Sequence, residues 1–592
     1  MENSIVAMIR NRLETYAHRD VLHYKNPDGS YHSMTGGEFW NEIIKVSRAL
    51  KALGIKPSEK IGILSDNMPQ WTITDLAILA MQGIVIPVFG GSSYEQIEHI
   101  INETNMRYLF VGNQSQLDNA KLALKGTQSL EKIITFKDDT EVADTRCISW
   151  EGFLNLGSEF SVDLCKEAVN AIPSSQIATI IFTSGTTGNP KGVMLSHGNF
   201  MQCFAIHDVR LNINNSDLSM CFLPLSHVFE RAWTYYILHR GGRNFYVENP
   251  RTIIDELKVV KPTVMCAVPR FFEKTYSAIQ LEVQKWSPLK KRIFSWSISV
   301  GERVVFYRAK NARLPLMLKT KLRIADTLVL SKLRGLFGGN IKAIPCSGAA
   351  MVYDHLLFFH AIGLFVNYGY GSTETTATVS CFRNDVFDLK SCGTIMPEVQ
   401  VKLSDTGEIM VKGKTVFAGY YNNLDDTNSA IEDGWYKTGD RGLLTNSGDL
   451  VMTDRINDIF KTSGGKFISP QKIELMLLKD AFIEQAVIIG NNRKFVTALI
   501  VPSFEKIKAV WIADSIKSTN DQELINNPRV FEFLQNRIDQ CLKTLPNYEK
   551  VLKFKLIAVP FSVSDNTLTN TLKVRRKLIE ERHESIISEM YL

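Results

Sequence analysis

Along the first third of the chain, short apolar runs alternate with amphipathic stretches of helical spacing. The runs at residues 60–64, 83–88 and 108–111 fall in this way between Val6 and about Ala178. Parallel strands need a crossover between them, usually a helix, so the alternation predicts layered α/β structure around a largely parallel sheet. The longest apolar stretch, residues 76–89, is interrupted by Gln82, Gly83 and Pro87. It is too short to cross a bilayer and predicts a buried helix running into a strand. The pattern continues through residues 220–223, 264–267 and 341–345, broken between about 270 and 340 by a basic, aromatic-bearing stretch of helical spacing. After about residue 390 short strands (399–403, 408–412, 448–452) and glycine-rich turns predict a small β subregion. Beyond Asp454, strand runs at 486–489 and 497–501 lie among longer helical stretches. The expected organisation is an N-terminal α/β domain over residues 1–453 and a smaller α+β domain over 454–592.

At 592 residues the chain exceeds what one hydrophobic core serves, which agrees with two domains or more. Its nine cysteines form no CxxC pair and no Cys/His ligand spacing. A disulfide framework and a structural zinc site are therefore not expected, and a reducing cytoplasmic setting is. Residues 1–10 lack the apolar core of a signal peptide, so none is expected. The net charge of +6 is unevenly spread. Residues 281–340 hold thirteen Lys or Arg against Glu282, Glu302 and Asp326, a local +10 that leaves the remainder at −4. No nucleic-acid partner is expected.

Chemistry concentrates in loops. The β-rich residues 177–182 feed Thr183-Ser184-Gly185-Thr186-Thr187-Gly188-Asn189-Pro190-Lys191-Gly192. Glycines let backbone N–H groups approach an anion, hydroxyls donate further hydrogen bonds, and Lys191 adds charge: the parts of a polyphosphate cradle. It is not a Walker A loop, because Lys191 precedes glycine and not Ser or Thr. Glu374, after a glycine-rich turn and beside Thr373, is suited to Mg²⁺ bridging phosphates. Asp440, in a Thr-Gly-Asp read as a tight turn exposing its carboxylate, can accept from two vicinal hydroxyls. A solvated turn residue and an Asx cap are the alternatives for these two.

The chain resembles the adenylate-forming enzymes, which include acyl-CoA synthetases, luciferases and peptide-synthetase adenylation domains. Residues 182–192 match that family's phosphate loop throughout, and Tyr370-Gly-Ser-Thr-Glu374 looks like its Tyr-Gly-x-Thr-Glu motif. Gly419-Tyr-Tyr-Asn422, Gly434 to Gly442, and the hinge-like run from Asp454 to Lys466 follow in the family's order. The resemblance implies that Thr183, Ser184, Gly185, Thr186, Thr187, Gly188 and Lys191 cradle phosphates and that Glu374, with Thr183, holds the metal. It implies that Tyr370 stacks on adenine, Gly348, Ala349 and Ala350 line the nucleotide, and Asp440 takes the ribose with Arg455 beside it. Asp454 is then the pivot of a mobile C-terminal domain. Asn457 departs from the lysine many relatives carry there, while Asp458 and Lys461, a further cofactor-contact candidate, are kept. In Thr569-Asn-Thr-Leu-Lys573, looser than the usual Thr-x-Ser-Gly-Lys, Lys573 matches the lysine that meets carboxylate and α-phosphate. His227, in Leu223-Pro-Leu-Ser-His-Val-Phe-Glu-Arg231, lines the acyl or pantetheine path or is a structural hydrogen-bonding histidine, and Trp233 marks the acyl-tunnel entrance.

Attack of a carboxylate on an α-phosphate needs charge screening and positioning but no protein nucleophile. The activity implied is an ATP- and Mg²⁺-dependent formation of acyl-AMP, followed by transfer to coenzyme A. The basic insert and the 223–231 block resemble long-chain fatty acyl-CoA synthetases. The insert also suits peripheral contact with the inner face of an anionic membrane, a solvated hairpin being the alternative. An acyl-AMP ligase serving a carrier protein and a non-catalytic fatty-acid uptake protein are the rival readings. Chain length and oligomeric state stay open.

Overall fold

The computed structural model describes the whole chain except Met1, Pro27, residues 138–139, 141–143, 162–167, 184–189, Asn457, 512–519, 563–564 and 570–573. Helix Pro69–Ala80 opens on a proline and is buried at all but Gln70, and it runs into strand Ile84–Phe89 as the apolar stretch from 76 to 89 predicts. That strand lies parallel to Lys60–Ser65, which in turn pairs parallel with Tyr108–Val111. Gly62 lets the layers close: a Cβ there would come within 2.6 Å of Leu109 and 2.7 Å of Met106. These strands form the centre of an eight-stranded sheet ordered Gly419–Tyr420, Lys191–Ser196, Ile177–Thr183, Ile84–Phe89, Lys60–Ser65, Tyr108–Val111, Lys132–Thr135, Cys147–Ile148. Only the two strands at the Gly419 end run antiparallel to their neighbours.

A second sheet takes Leu218–Cys221, Arg243–Tyr246 and Val264–Met265, all parallel. Its far edge is an N-terminal hairpin, Asp20–Lys25 with Tyr31–Thr35, which the sequence pattern did not assign to it. The basic segment is helical, as predicted, through Pro269–Gln284, Pro288–Arg308 and Leu316–Ala325. Short antiparallel strands follow, among them Gln400–Leu403, Glu408–Lys412, Trp435–Leu444 and Leu450–Arg455. The last part of the chain builds its own apolar core around strands Ile483–Ile489, Val496–Pro502 and Val551–Leu556. It touches the rest through Lys479–Asp354 (3.2 Å), Arg270–Glu484 (3.7 Å) and a Gln96–Asn566 hydrogen bond of 2.6 Å.

One buried ion pair joins the layers. Arg231, on helix Val228–His239, meets Asp75 of helix Pro69–Ala80 through two bonds of 2.5 and 2.9 Å. Its remaining nitrogen donates to the Thr179 hydroxyl of strand Ile177–Thr183 at 2.7 Å, and the Tyr235 hydroxyl also donates to Asp75. Next to it, Glu230 is fully buried and accepts from the Leu223 N–H at 2.9 Å and the Cys266 thiol at 3.4 Å. Burial pushes its carboxyl up to about 8 against the pull of the Leu223 N–H.

Two expectations follow from these buried groups. Asp75→Ala strands the Arg231 charge in the core and should destabilise the fold by about 3–5 kcal/mol in urea titration; a loss below the error of the measurement would contradict the pairing. Glu230 keeps its proton in the fold and loses it in the unfolded chain between its ordinary 4.5 and about 8. Stability should therefore fall as pH rises through that window, and Glu230→Gln should flatten the slope. Urea midpoints at pH 5.5 and 8 that keep the wild-type difference in the variant would count against it.

Candidate active site

Strand Ile177–Thr183 delivers Thr183 to the sheet end, and its antiparallel partner begins opposite at Lys191. Thr183 Oγ1 donates to the Lys191 carbonyl at 3.5 Å. Between them, the predicted cradle residues Ser184, Gly185, Thr186, Thr187 and Gly188 lie outside the described residues. The Lys191 ammonium is 2.6 Å from Asp426 and 5.4 Å from the centre of the Tyr420 ring. Tyr420 in turn donates its hydroxyl to Glu374 Oε1 at 3.2 Å. Burial, followed by the Glu374 charge, pushes the Tyr420 hydroxyl well above its ordinary range, so it remains a donor at neutral pH.

Glu374 sits in a single turn, Thr373–Thr375, whose shape is forced from both sides. A Cβ on Gly371 would lie 2.0 Å from the Ala377 carbonyl oxygen. Past the turn, Thr376 and Ala377 both adopt left-handed φ, +49° and +78°, a strained choice for residues with side chains. The Phe417 N–H fixes the Glu374 carbonyl at 2.8 Å, and Thr376 Oγ1 donates to the Thr415 carbonyl at 2.7 Å. Among the described residues no Lys or Arg pairs with Glu374. A half-buried carboxylate without a described cationic partner fits a hard divalent cation that takes its remaining ligands from phosphate and water.

Four residues before Glu374, Tyr370 donates its hydroxyl to Asp440 Oδ2 at 2.6 Å, while Arg455 Nε reaches Oδ1 at 2.9 Å. The expectation of an exposed turn carboxylate is corrected here. Asp440 lies within strand Trp435–Leu444 and is only 4% exposed, because Gly439 (φ +70°) kinks the strand and Tyr370 and Arg455 close over it. Two of its lone-pair directions are taken, leaving acceptor capacity for a pair of hydroxyls. Burial would lower the Arg455 guanidinium, but Asp440 more than offsets that and raises it. Tyr436 is buried: after burial, the charges of Glu374 and Asp440 push its hydroxyl up. Nearby, the Ala349 carbonyl accepts from Tyr368 at 3.2 Å, and Gly348 takes φ +94° to turn the chain there.

An apolar cavity opens behind Tyr370, between helices His197–Arg210 and Val228–His239 and strand Val366–Tyr370. Phe204, Phe229, Trp233 and Tyr236 give it mainly aromatic walls, and Trp233 is pinned by a 2.8 Å bond from its indole N–H to Ser219. Cys203 on the wall is pushed up to about 12 by burial, so it is an inert thiol. His227 caps helix Val228–His239, its Nδ1 accepting from the Phe229 N–H at 3.2 Å, which is the structural use weighed for it.

The fold thus brings together Thr183 with Lys191, Tyr370 with Asp440 and Arg455, and Glu374 through Tyr436. Lys461 stands apart on strand Phe460–Lys461, exposed, with its ammonium 5.4 Å over the Phe467 ring. Lys573 lies outside the described residues. Two participants escaped sequence reasoning. Tyr420 was part of a recognised block without a role, and Asp426 reads locally as part of the Asn423 helix cap, with a 2.7 Å bond between their side chains.

The family description "AMP-binding enzyme" matches residues 9–421, and "AMP-binding enzyme C-terminal domain" matches 457–592. The chain is 29% identical to a long-chain-fatty-acid–CoA ligase of Mycobacterium tuberculosis, over 96% of this chain and 94% of that one. It is 28% identical to long chain acyl-CoA synthetase 4 of Arabidopsis thaliana, over 95% and 87%. Among solved structures, the adenylation domain of a carboxylate reductase from Mycobacterium chelonae superposes with TM-score 0.79 at 21% identity, covering 99% of this chain and 91% of that one. O-succinylbenzoate CoA synthetase from Bacillus subtilis with ATP and magnesium gives 0.67 at 18%, covering 97% and 99%.

Asp426 holds Lys191 in a half-exposed ion pair, so a polyphosphate must compete for that ammonium. Asp426→Asn should tighten triphosphate binding by up to about fivefold, the worth of a partly exposed pair. Calorimetric titration with a nucleoside triphosphate checks this, and weaker binding in the variant would contradict it.

Proposed function

The chain belongs to the AMP-binding enzyme family, and we propose on that footing that it is a long-chain fatty acid–CoA ligase. The carboxylate of a fatty acid attacks the α-phosphorus of ATP, the bond to the β-phosphate oxygen breaks, and acyl-AMP and pyrophosphate form. The thiol of coenzyme A then loses its proton to solvent and attacks the acyl carbon, expelling AMP. The observation that carries this reading is the junction at Tyr370, which lines the apolar cavity and donates to Asp440. Tyr370 thus joins an apolar cavity to a ribose-type acceptor.

In this reading Glu374, with Thr183, would hold Mg²⁺, which when bound would screen the phosphate charge. Tyr420 orients the Glu374 carboxylate through its 3.2 Å bond. Lys191 and the loop 184–188 receive the β- and γ-phosphates, Tyr370 and residues 348–350 take adenine, and Asp440 with Arg455 takes the ribose. Lys573 supplies the cation at the α-phosphate, and His227 borders the acyl or pantetheine path. Residues 1–453 form the adenylation domain and 454–592 a mobile domain pivoting at Asp454. That residue accepts from Ser469 on the C-terminal side, while the next residue, Arg455, is tied to Asp440. The family matches, breaking between 421 and 457, support a division near this point. We place the enzyme in the cytoplasm with peripheral contact to an anionic membrane through residues 281–340; no described helix is long and apolar enough to cross one.

Mass spectrometry of the products from ATP, Mg²⁺ and a mixture of C8–C18 fatty acids, with and without coenzyme A, tests the proposal. Acyl-AMP alone, converting to acyl-CoA when the thiol is added, is expected; acyl-AMP persisting beside coenzyme A would point to a carrier-protein acceptor. Glu374→Gln should lower adenylation by about 10²–10³, the usual loss of one electrostatic contact to developing charge.

A further inference from the structure

Seven of the 23 large apolar side chains exposed among the described residues fall within residues 281–340, a tenth of the chain. They are ordered. On helix Pro288–Arg308 the exposed positions Leu289, Arg292, Trp296, Arg303 and Phe306 recur at spacings of three, four and seven, which places them on one face. Phe294, on the opposite face, is buried, as are Val300 and Val304 on the flank. Gly301 seats that inner face tightly, since a Cβ would lie 2.2 Å from the Ala361 carbonyl of helix Tyr353–Ala361. The next helix, Leu316–Ala325, buries Leu318 and Ala325 and exposes Leu316 (81%) and Met317 (71%) beside Lys319 and Arg323.

Charge on this surface is one-sided. Glu282 is paired with Lys285 at 3.1 Å and Asp326 with Arg334 at 2.7 Å, while Glu302 is half-buried. Exposed cations therefore stand between exposed apolar side chains, and none of the three carboxylates is both exposed and unpaired. A solvated helical hairpin has no use for that interleaving. An interface of anionic headgroups over acyl chains satisfies both kinds of side chain at once.

Resting on the peripheral-membrane reading above, we infer that this two-helix face is the docking element. Trp296, Phe306, Leu316 and Met317 enter the acyl boundary, and Arg292, Arg303, Lys319 and Arg323 meet anionic headgroups. The face is rigidly backed. Its inner side packs on helix Tyr353–Ala361, and the chain passes from there into strand Val366–Tyr370, whose Asn367 and Tyr370 line the acyl cavity. Docking in this orientation leaves the docking helix and helix Tyr353–Ala361 between the bilayer that stores the substrate and the strand bordering the cavity.

Sedimentation of the full chain with neutral phosphatidylcholine vesicles and with vesicles containing 30% phosphatidylglycerol tests the assignment. Wild type should bind the anionic vesicles only. W296S/F306S/L316S/M317S should weaken that binding at least tenfold, and R303E/K319E/R323E at least a hundredfold, taking about fivefold for each basic residue near the surface. Both variants should keep wild-type adenylation of octanoate supplied in solution, which shows that they are folded. Wild-type binding that both variants retain would overturn the face and leave the membrane reading standing. No wild-type binding at low salt would overturn both. A wild-type dimer in analytical ultracentrifugation that the apolar variant abolishes, with vesicle binding unchanged, would make the face a contact between copies and also overturn it.

Discussion

The contact between Arg231 and Asp75 constrains the N-terminal fold more than any other. Both groups are out of water, so neither is tolerable alone, and the pair forms only when helices Pro69–Ala80 and Val228–His239 are in register. The Arg231 nitrogen left over after Asp75 is satisfied reaches Thr179, on the strand that leads to the predicted phosphate loop. The same helix places Trp233 against the acyl cavity. A charge that must be fully paired thus fixes the distance between the region assigned to the triphosphate and the one assigned to the acyl chain.

Asp440 plays a comparable part nearer the proposed chemistry. Its two oxygens are shared between Tyr370, which borders the cavity, and Arg455, which begins the passage into the C-terminal part of the chain. Tyr436 is buried within reach of both the Asp440 and the Glu374 charge. The arrangement makes the carboxylates mutually dependent: their donors are aromatic hydroxyls held protonated by burial and by those same carboxylates. Polar groups arranged in this way are fixed before any ligand arrives.

What could be read from the sequence followed contiguity. Most of the loop at 183–192 lies outside the described residues, while the helix-to-strand run through Leu76 was legible because neighbouring residues carry its whole meaning. The Lys191–Asp426 and Tyr420–Glu374 contacts were not, since each joins separate elements that only the assembled sheet brings together. Asp440 was misjudged for the same reason. Thr-Gly-Asp signals a turn locally, yet the partner strand Leu450–Arg455 and Tyr370 turn it into a buried kink. The N-terminal hairpin at residues 20–35 gave no hint of its sheet because its parallel partner, Arg243–Tyr246, lies over two hundred residues away.

Successive side chains on a strand face opposite ways, and at 454–455 this has a mechanical meaning. Asp454 grips Ser469 and Arg455 grips Asp440, so adjacent residues are clamped to opposite bodies. Twisting the backbone between them leaves both clamps closed. The contacts that must part during such a twist are the peripheral ones, Lys479–Asp354, Arg270–Glu484 and Gln96–Asn566. The two ion pairs among them are solvent-exposed and contribute little in water. In the proposed rotation the joint is a swivel with a firm axle and weak latches, able to turn without loosening its bearing.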